Sequence, residues 1–247
     1  MAEILVTGGT GTLGRALVAR LGEQGHVPRV LSRSPGPGRW TGDLETGAGV
    51  ADAVHGVDAV VHAASRPGHD VAQARTLIDA VRAQGGPHLV VISIVGADRV
   101  PLGYYREKVR VEQMVADSGV PWTVLRATQF HDLLATLLGV LGRSPVLPVL
   151  AGAHFQPVDV RDVAERLAAL AVGAPAGRAP DLAGPQVRSM ADLARAWASA
   201  TGRRRAVLPV PLPGRLARAV RDGGLLAPGH ADGRITFEEF LAARPGR

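Results

Sequence analysis

The sequence predicts an α/β fold built on a doubly wound parallel sheet, and three observations carry that expectation. Short apolar runs alternate with segments of helical period over residues 2–126. The runs are continuous rather than alternating, the mark of strands covered on both faces. A glycine-rich turn joins the first run directly to the first helical segment, as a βαβ unit requires.

Each element follows in order. Residues 2–6 form a strand-type run that leads into Thr7-Gly8-Gly9-Thr10-Gly11-Thr12-Leu13-Gly14, and residues 16–21 continue with helical period. Strand, glycine turn and helix make the setting in which backbone N–H groups at a helix start cradle a pyrophosphate. Gly8, Thr10, Gly11, Thr12, Leu13 and Gly14 are therefore candidate cofactor-binding residues of a Rossmann-type fold. Residues 28–31 form a second strand, which ends in Ser32-Arg33-Ser34. A site that prefers NAD places an acid about 20 residues past the glycines to bind the ribose 2′-hydroxyl. Here Arg33 stands 19 residues after Gly14, and a guanidinium grips a 2′-phosphate in a bidentate way. Arg15, just inside the first helix, is a second candidate. NADP (NADPH) is expected as cofactor over NAD.

Further strands are expected at residues 58–64, 88–95 and 121–126, and further helices at Asp70–Ala83 and over residues 104–117. After about residue 145 the pattern loosens and Pro and Gly become frequent, with helices still expected over residues 160–171 and 189–201. The 247 residues, 46% apolar and 20% charged, suffice for one sizeable core. A single domain over 1–247 is expected, with a core of about 1–150 and a small C-terminal substrate-binding lid of about 151–247.

Composition narrows the class. No apolar run reaches the ~18 residues that span a bilayer, and the first residues read as a strand rather than a signal peptide. A cytoplasmic protein with no membrane partner is expected. Without cysteine there is no disulfide and no thiolate metal site, and no metal is expected. The net charge is +6, but the arginines are scattered, Arg203-Arg204-Arg205 is their only cluster, and aromatics make up 4%. That pattern predicts no nucleic-acid partner, while the basic charge helps draw in an anionic cofactor. A small-molecule substrate and a monomer or homodimer are expected.

The strongest chemical signal is a single lysine. Of 28 basic residues only Lys108 is lysine, and the chain's two tyrosines, Tyr104 and Tyr105, lie just before it. Lys is a compact point charge whose protonation can be tuned, whereas Arg is a wide planar fork. Residues at i and i+4 share a helix face, so Tyr104 and Lys108 address one small volume. A cation beside a phenol favours its ionised form, which makes the pair an acid/base device. Ser93 closes its strand eleven residues before Tyr104. Ligands collect at the carboxyl ends of parallel strands, so Ser93 is a candidate to hydrogen-bond the carbonyl oxygen that Tyr104 protonates.

Together, Thr7-Gly8-x-x-Gly11-x-x-Gly14, Asp43-Leu44, the His62-Ala63-Ala64-Ser65 strand end, Ser93 and Tyr104-x-x-x-Lys108 resemble the short-chain dehydrogenase/reductases. Leu125-Arg126-Ala127-Thr128-Gln129-Phe130 and Gln156-Pro157-Val158-Asp159-Val160-Arg161-Asp162-Val163-Ala164 resemble the atypical branch. That branch includes NmrA-like NADP-binding regulators and NAD(P)H-quinone reductase-like proteins. The resemblance implies that Asp43 approaches the adenine, that Ala63 and Ala64 flank the nicotinamide, and that Lys108 contacts the nicotinamide ribose. It implies Tyr104 as acid/base, and Leu44 and Ser65 are counted with the cofactor site. Many atypical members lack the Tyr-x-x-x-Lys pair, which this chain has. Its Ser93 strand end departs from the pattern of the active members.

The expectation is an NADPH-dependent oxidoreductase passing hydride to a small carbonyl or quinone-like substrate, with Tyr104 as proton donor. The alternatives are a non-catalytic NADP sensor and a nucleotide-sugar epimerase that keeps its cofactor. The segment Asp232-Gly233-Arg234-Ile235-Thr236-Phe237-Glu238-Glu239-Phe240 imitates half of an EF-hand loop. Aligning Gly233 and Glu239 puts Pro228 and His230 where carboxylates belong, so no calcium site is expected. Phe237, Phe240 and Leu241 read instead as the buried face of a last helix.

Overall fold

Continuous Val, Ile and Leu runs produce the buried central strands, and shorter or more polar runs give more exposed strands toward the sheet edges. These are β1 (Glu3–Thr7), β2 (Val27–Ser32), β3 (Arg39–Thr41), β4 (Ala59–His62), β5 (His88–Ile94) and β6 (Trp122–Ala127), with a two-residue strand β9 (Gly177–Arg178). In the computed structural model, which describes residues 1–244, they form one seven-stranded sheet of order β3-β2-β1-β4-β5-β6-β9. β1 pairs in parallel with both β2 and β4. The strand order therefore reverses at β1, and the crevice outside the carboxyl ends of β1 and β4 is the place where such sheets bind ligands.

Backbone contacts divide the chain into two interleaved units. The first comprises Met1–Ser93, Gly103–Arg126 and Val163–Pro180. Its helices include α1 (Thr12–Glu23), α2 (Val50–Val54), α3 (Asp70–Ala83) and α4 (Gly103–Ala116). α1 turns Leu13, Leu17 and Leu21 inward at i, i+4 spacing. Leu5, Leu31, Val60 and Leu89 from the sheet join Leu77 and Val81 of α3 and Val111 and Val115 of α4 in one core. β3 and α2 arise between the expected strands, and β4 stops at His62, short of residue 64.

The second unit comprises Ile94–Leu102, Ala127–Asp162 and the residues from Asp181 onward. It contains α5 (His131–Leu141), α7 (Met190–Ala200), α8 (Arg215–Arg221) and α9 (Phe237–Ala242). β7 (Val146–Leu150) pairs in parallel with β11 (Ala206–Val210), and β8 (His154–Phe155) pairs antiparallel with β10 (Arg188–Ser189). α6 (Val160–Val172) begins in this unit and continues in the first. Glu239, the residue at the imitated calcium-loop end, completes a capping box with Thr236 at the start of α9, and Phe237, Phe240 and Leu241 are that helix's buried face. Arg205 donates to the Gly142 carbonyl and the Arg203 guanidinium lies 5.8 Å from the centre of the Trp197 ring. No helix among the described residues is long and apolar enough to cross a membrane.

Candidate active site

The glycine loop is built by close approach. Gly8 has φ +70°, and a Cβ there would lie 2.6 Å from the Ala64 amide nitrogen. A Cβ at Gly14 would lie 2.1 Å from the Gly8 carbonyl oxygen. Only hydrogen fits at either position, so the loop folds tightly onto the end of β4. Gly11 opens α1 with no side-chain cap and no acid in the first turn. The positive end of the helix and its free N–H groups are left to a ligand. Arg15 donates to the Thr10 carbonyl at 2.5 Å, bracing the loop from its exposed side. After β2, Ser32 Oγ donates to the Ser34 carbonyl and accepts from the Ser34 N–H. That turn leaves Arg33 between them and exposed.

β1 and β4 end in register, Thr7 opposite His62. Thr7 Oγ1 and His62 Nδ1 lie 2.8 Å apart, and the Ala64 N–H donates to Thr7 Oγ1 at 3.3 Å. These bonds explain why the strand stops at His62 and why Ala63-Ala64-Ser65 turns away as a loop. Burial, reinforced by the Lys108 ammonium, pushes the His62 imidazole down to about 4. The folded protein holds this ring neutral where an unfolded chain would protonate it. Stability is thus expected to fall by about 3 kcal/mol as pH drops from 6.5 to 4. Urea unfolding at several pH values would show the loss, and His62→Gln would reduce it.

The lysine is the centre of a polar chain. Lys108 Nζ lies 2.8 Å from Asp70 Oδ2, and both side chains are almost fully buried, at 7% and 2% exposed. Ser65 Oγ donates to the same Asp70 oxygen at 2.9 Å and lies 2.7 Å from the Tyr104 hydroxyl. The Arg66 N–H donates to the other carboxylate oxygen at 2.5 Å. Burial by itself would raise the Asp70 carboxyl, but the Lys108 ammonium and these hydrogen bonds hold it below the usual carboxylate value. Asp70 is therefore an anion that only accepts. Lys108 Nζ stands 5.5 Å from the centre of the Tyr104 ring. Tyr104 and Lys108 do share one face of α4, and they meet through Ser65 and Asp70.

Asp70 was not among the sequence candidates. An acid in the first turn of a helix reads as a partner for the helix dipole, and nothing local links it to a lysine on the next helix. Ser93 is buried near the end of β5, and its Oγ has no hydrogen-bond partner among the described residues. Asp43 accepts from the Glu45 N–H at 2.9 Å and Leu44 packs into the core. Ala63 and Ala64 are half-buried. No cluster of metal-ligating side chains occurs among the described residues.

The geometry fits a dinucleotide on two counts: glycines that admit backbone alone and an uncapped helix start. Comparison with known proteins agrees. Residues 8–171 match the NAD(P)H-binding family. The chain is 33% identical over 195 residues to the (4-alkanoyl-5-oxo-2,5-dihydrofuran-3-yl)methyl phosphate reductase of Streptomyces griseus, covering 74% of this chain and 68% of that protein. It is 28% identical over 270 residues to the NAD(P)H azoreductase of Xenophilus azovorans, covering 99% and 94%. Its fold matches the NADPH-dependent quinone oxidoreductase of Escherichia coli solved with NADPH, with a TM-score of 0.83, 22% identity and coverage of 96% and 98%. By motif, fold and sequence, the chain belongs to the NAD(P)H-binding family, as its resemblance to the atypical short-chain dehydrogenase/reductases implies.

Proposed function

We propose that the chain is an NADPH-dependent reductase of a small carbonyl or quinone-like compound, with Tyr104 as proton donor. The coarser reading, an NAD(P)-dependent oxidoreductase, rests on the family and on relatives named as reductases. The finer reading rests on one observation above all: Tyr104 is joined through Ser65 to a buried Asp70–Lys108 ion pair. Ser65 follows directly on Ala64, whose backbone meets the glycine loop. The acid/base pair therefore starts one residue from the proposed cofactor cradle.

The bound nicotinamide would supply the hydride. The chain's own residues would do the rest. Gly8, Thr10, Gly11, Thr12, Leu13 and Gly14 would offer backbone to the pyrophosphate, and Arg33 would meet the 2′-phosphate. Asp43, Leu44, Ala63, Ala64 and Ser65 would line the cofactor's length. Lys108 would hold positive charge near the ribose and the Tyr104 oxygen. Tyr104 would protonate the reduced oxygen, and Ser93, whose buried hydroxyl lacks a partner among the described residues, would orient it. The region of about 151–247 would contribute substrate binding.

Two binding experiments test the cofactor part. Arg33→Ala is expected to weaken NADPH by about 1–3 kcal/mol and leave NADH nearly unchanged, because only the former carries a 2′-phosphate for the guanidinium. Equal losses would remove Arg33 from the 2′-phosphate. Gly11→Val carries a branched side chain at the helix start, with its Cβ 3.2 Å from the Gly8 carbonyl. It is expected to abolish binding of both cofactors while circular dichroism stays native. The reaction itself is tested by NADPH oxidation against a panel of quinones and carbonyls. Tight NADPH binding with no turnover across that panel would point to a sensor instead.

A further inference from the structure

We propose that Ser65 re-protonates Tyr104 from solvent and that Asp70 is the positioning residue that orients both Ser65 and Lys108 for it. This rests on the reading of Tyr104 as the proton donor. The direction of each hydrogen bond follows from the geometry. Asp70 is ionised and can only accept, so the single hydrogen of Ser65 is directed to Asp70 Oδ2, 2.9 Å away. Ser65 must then accept from the Tyr104 hydroxyl at 2.7 Å. At rest the Tyr104 hydrogen points to Ser65, which fixes the phenol in place, and it turns to the substrate oxygen when one is bound.

Exposure is graded along the same chain. Ser65 is exposed and Tyr104 half-buried, while Asp70 and Lys108 are buried. When Tyr104 gives its proton to the substrate oxygen, its O–H bond breaks and a phenolate remains. The Ser65 hydroxyl can then turn from Asp70 to that phenolate. In one concerted step the Ser65 O–H bond breaks as the Tyr104 O–H bond re-forms and a solvent water gives Ser65 its proton, leaving hydroxide to the bulk, so that no alkoxide stands beside Asp70. Asp70 keeps its charge throughout, and no electron moves. The Lys108 ammonium, held by Asp70 at 2.8 Å, stabilises the phenolate in the interval. Among the described residues Ser65 is the one hydroxyl on Asp70, whose carboxylate otherwise meets the Lys108 ammonium and the Arg66 backbone N–H.

The test uses the full chain with NADPH and the substrate found in the panel. Ser65→Ala is expected to lower kcat by about tenfold, within the range of proton-transfer catalysis, with KM unchanged and a larger solvent isotope effect. Ser65→Thr, which keeps a hydroxyl, is expected to restore kcat. A second readout needs no cofactor. Lys108 is the chain's only lysine, so lysine labelled with nitrogen-15 at Nζ gives one side-chain signal. Asp70→Asn is expected to shift that signal and hasten its hydrogen exchange, and Ser65→Ala to move it less. Wild-type kcat in Ser65→Ala, or no rescue by Ser65→Thr, would overturn the Ser65 route. An unmoved Lys108 signal in folded Asp70→Asn would overturn the positioning role. If Tyr104→Phe keeps full turnover, the reading beneath falls as well; if it loses turnover while Ser65→Ala does not, this inference falls alone.

Discussion

Lys108→Met is expected to destabilise the fold by about 3–5 kcal/mol, and Asp70→Asn by a similar amount, because each leaves a buried charge without its partner. Removing both charges together should recover much of the loss, since the double variant strands neither. Urea midpoints of the two single variants and the double variant make the measurement. Near-additive losses would show that the pair is not coupled. The pH dependence has a definite sign. The Asp70 carboxyl is held below its usual value, so the pair's contribution is present above the ordinary carboxylate pKa and is lost as pH falls through the lowered one. Lys108→Arg is the sharper variant. It keeps the charge but puts a wide fork into a slot where the ammonium is 2.8 Å from Asp70 and nearly sealed. Turnover is expected to fall roughly 10²-fold or more, although the same exchange at an exposed basic position would be harmless.

Tyr104→Phe is expected to cut turnover at least as far, by about 10²–10⁴-fold, the range for loss of a general acid. NADPH affinity should change little, because the ring stays and only the hydroxyl bonded to Ser65 is lost. Tyr105→Phe is expected to leave turnover near wild type, since the Ser65–Asp70 chain runs through Tyr104. Steady-state kinetics on both variants decide it. Wild-type rates in both Tyr104→Phe and Lys108→Arg would make the pair structural and favour direct hydride transfer without a tyrosine acid.

The local half of this molecule was legible in its sequence. The glycine turn, α3 at Asp70–Ala83 and the last helix's buried Phe237, Phe240 and Leu241 each follow from patterns within a few residues. α5 was not legible. Leu133, Leu134, Leu137, Leu138 and Val140 make it apolar on almost every side, so no polar face marks its period. The β7–β11 pairing joins residues some 60 positions apart, and a parallel pair leaves no hairpin signal. The site divides in the same way. Tyr104 and Lys108 are one helical turn apart and could be read as a pair. Asp70 and Ser65 reach them from another helix and another loop, through contacts that periodicity cannot express.

The solitary lysine also changes how the protein meets electrophiles. Acylating reagents modify amines and ignore guanidinium groups. Apart from the amino terminus, this chain offers them one target, and Lys108 is 6% exposed and locked to Asp70. Acylation must wait until α3 and α4 part around the pair, an opening far smaller than unfolding. The rate at which an anhydride consumes that amine is therefore a clock for local breathing at the site, and the protein's many surface arginines add no background to it.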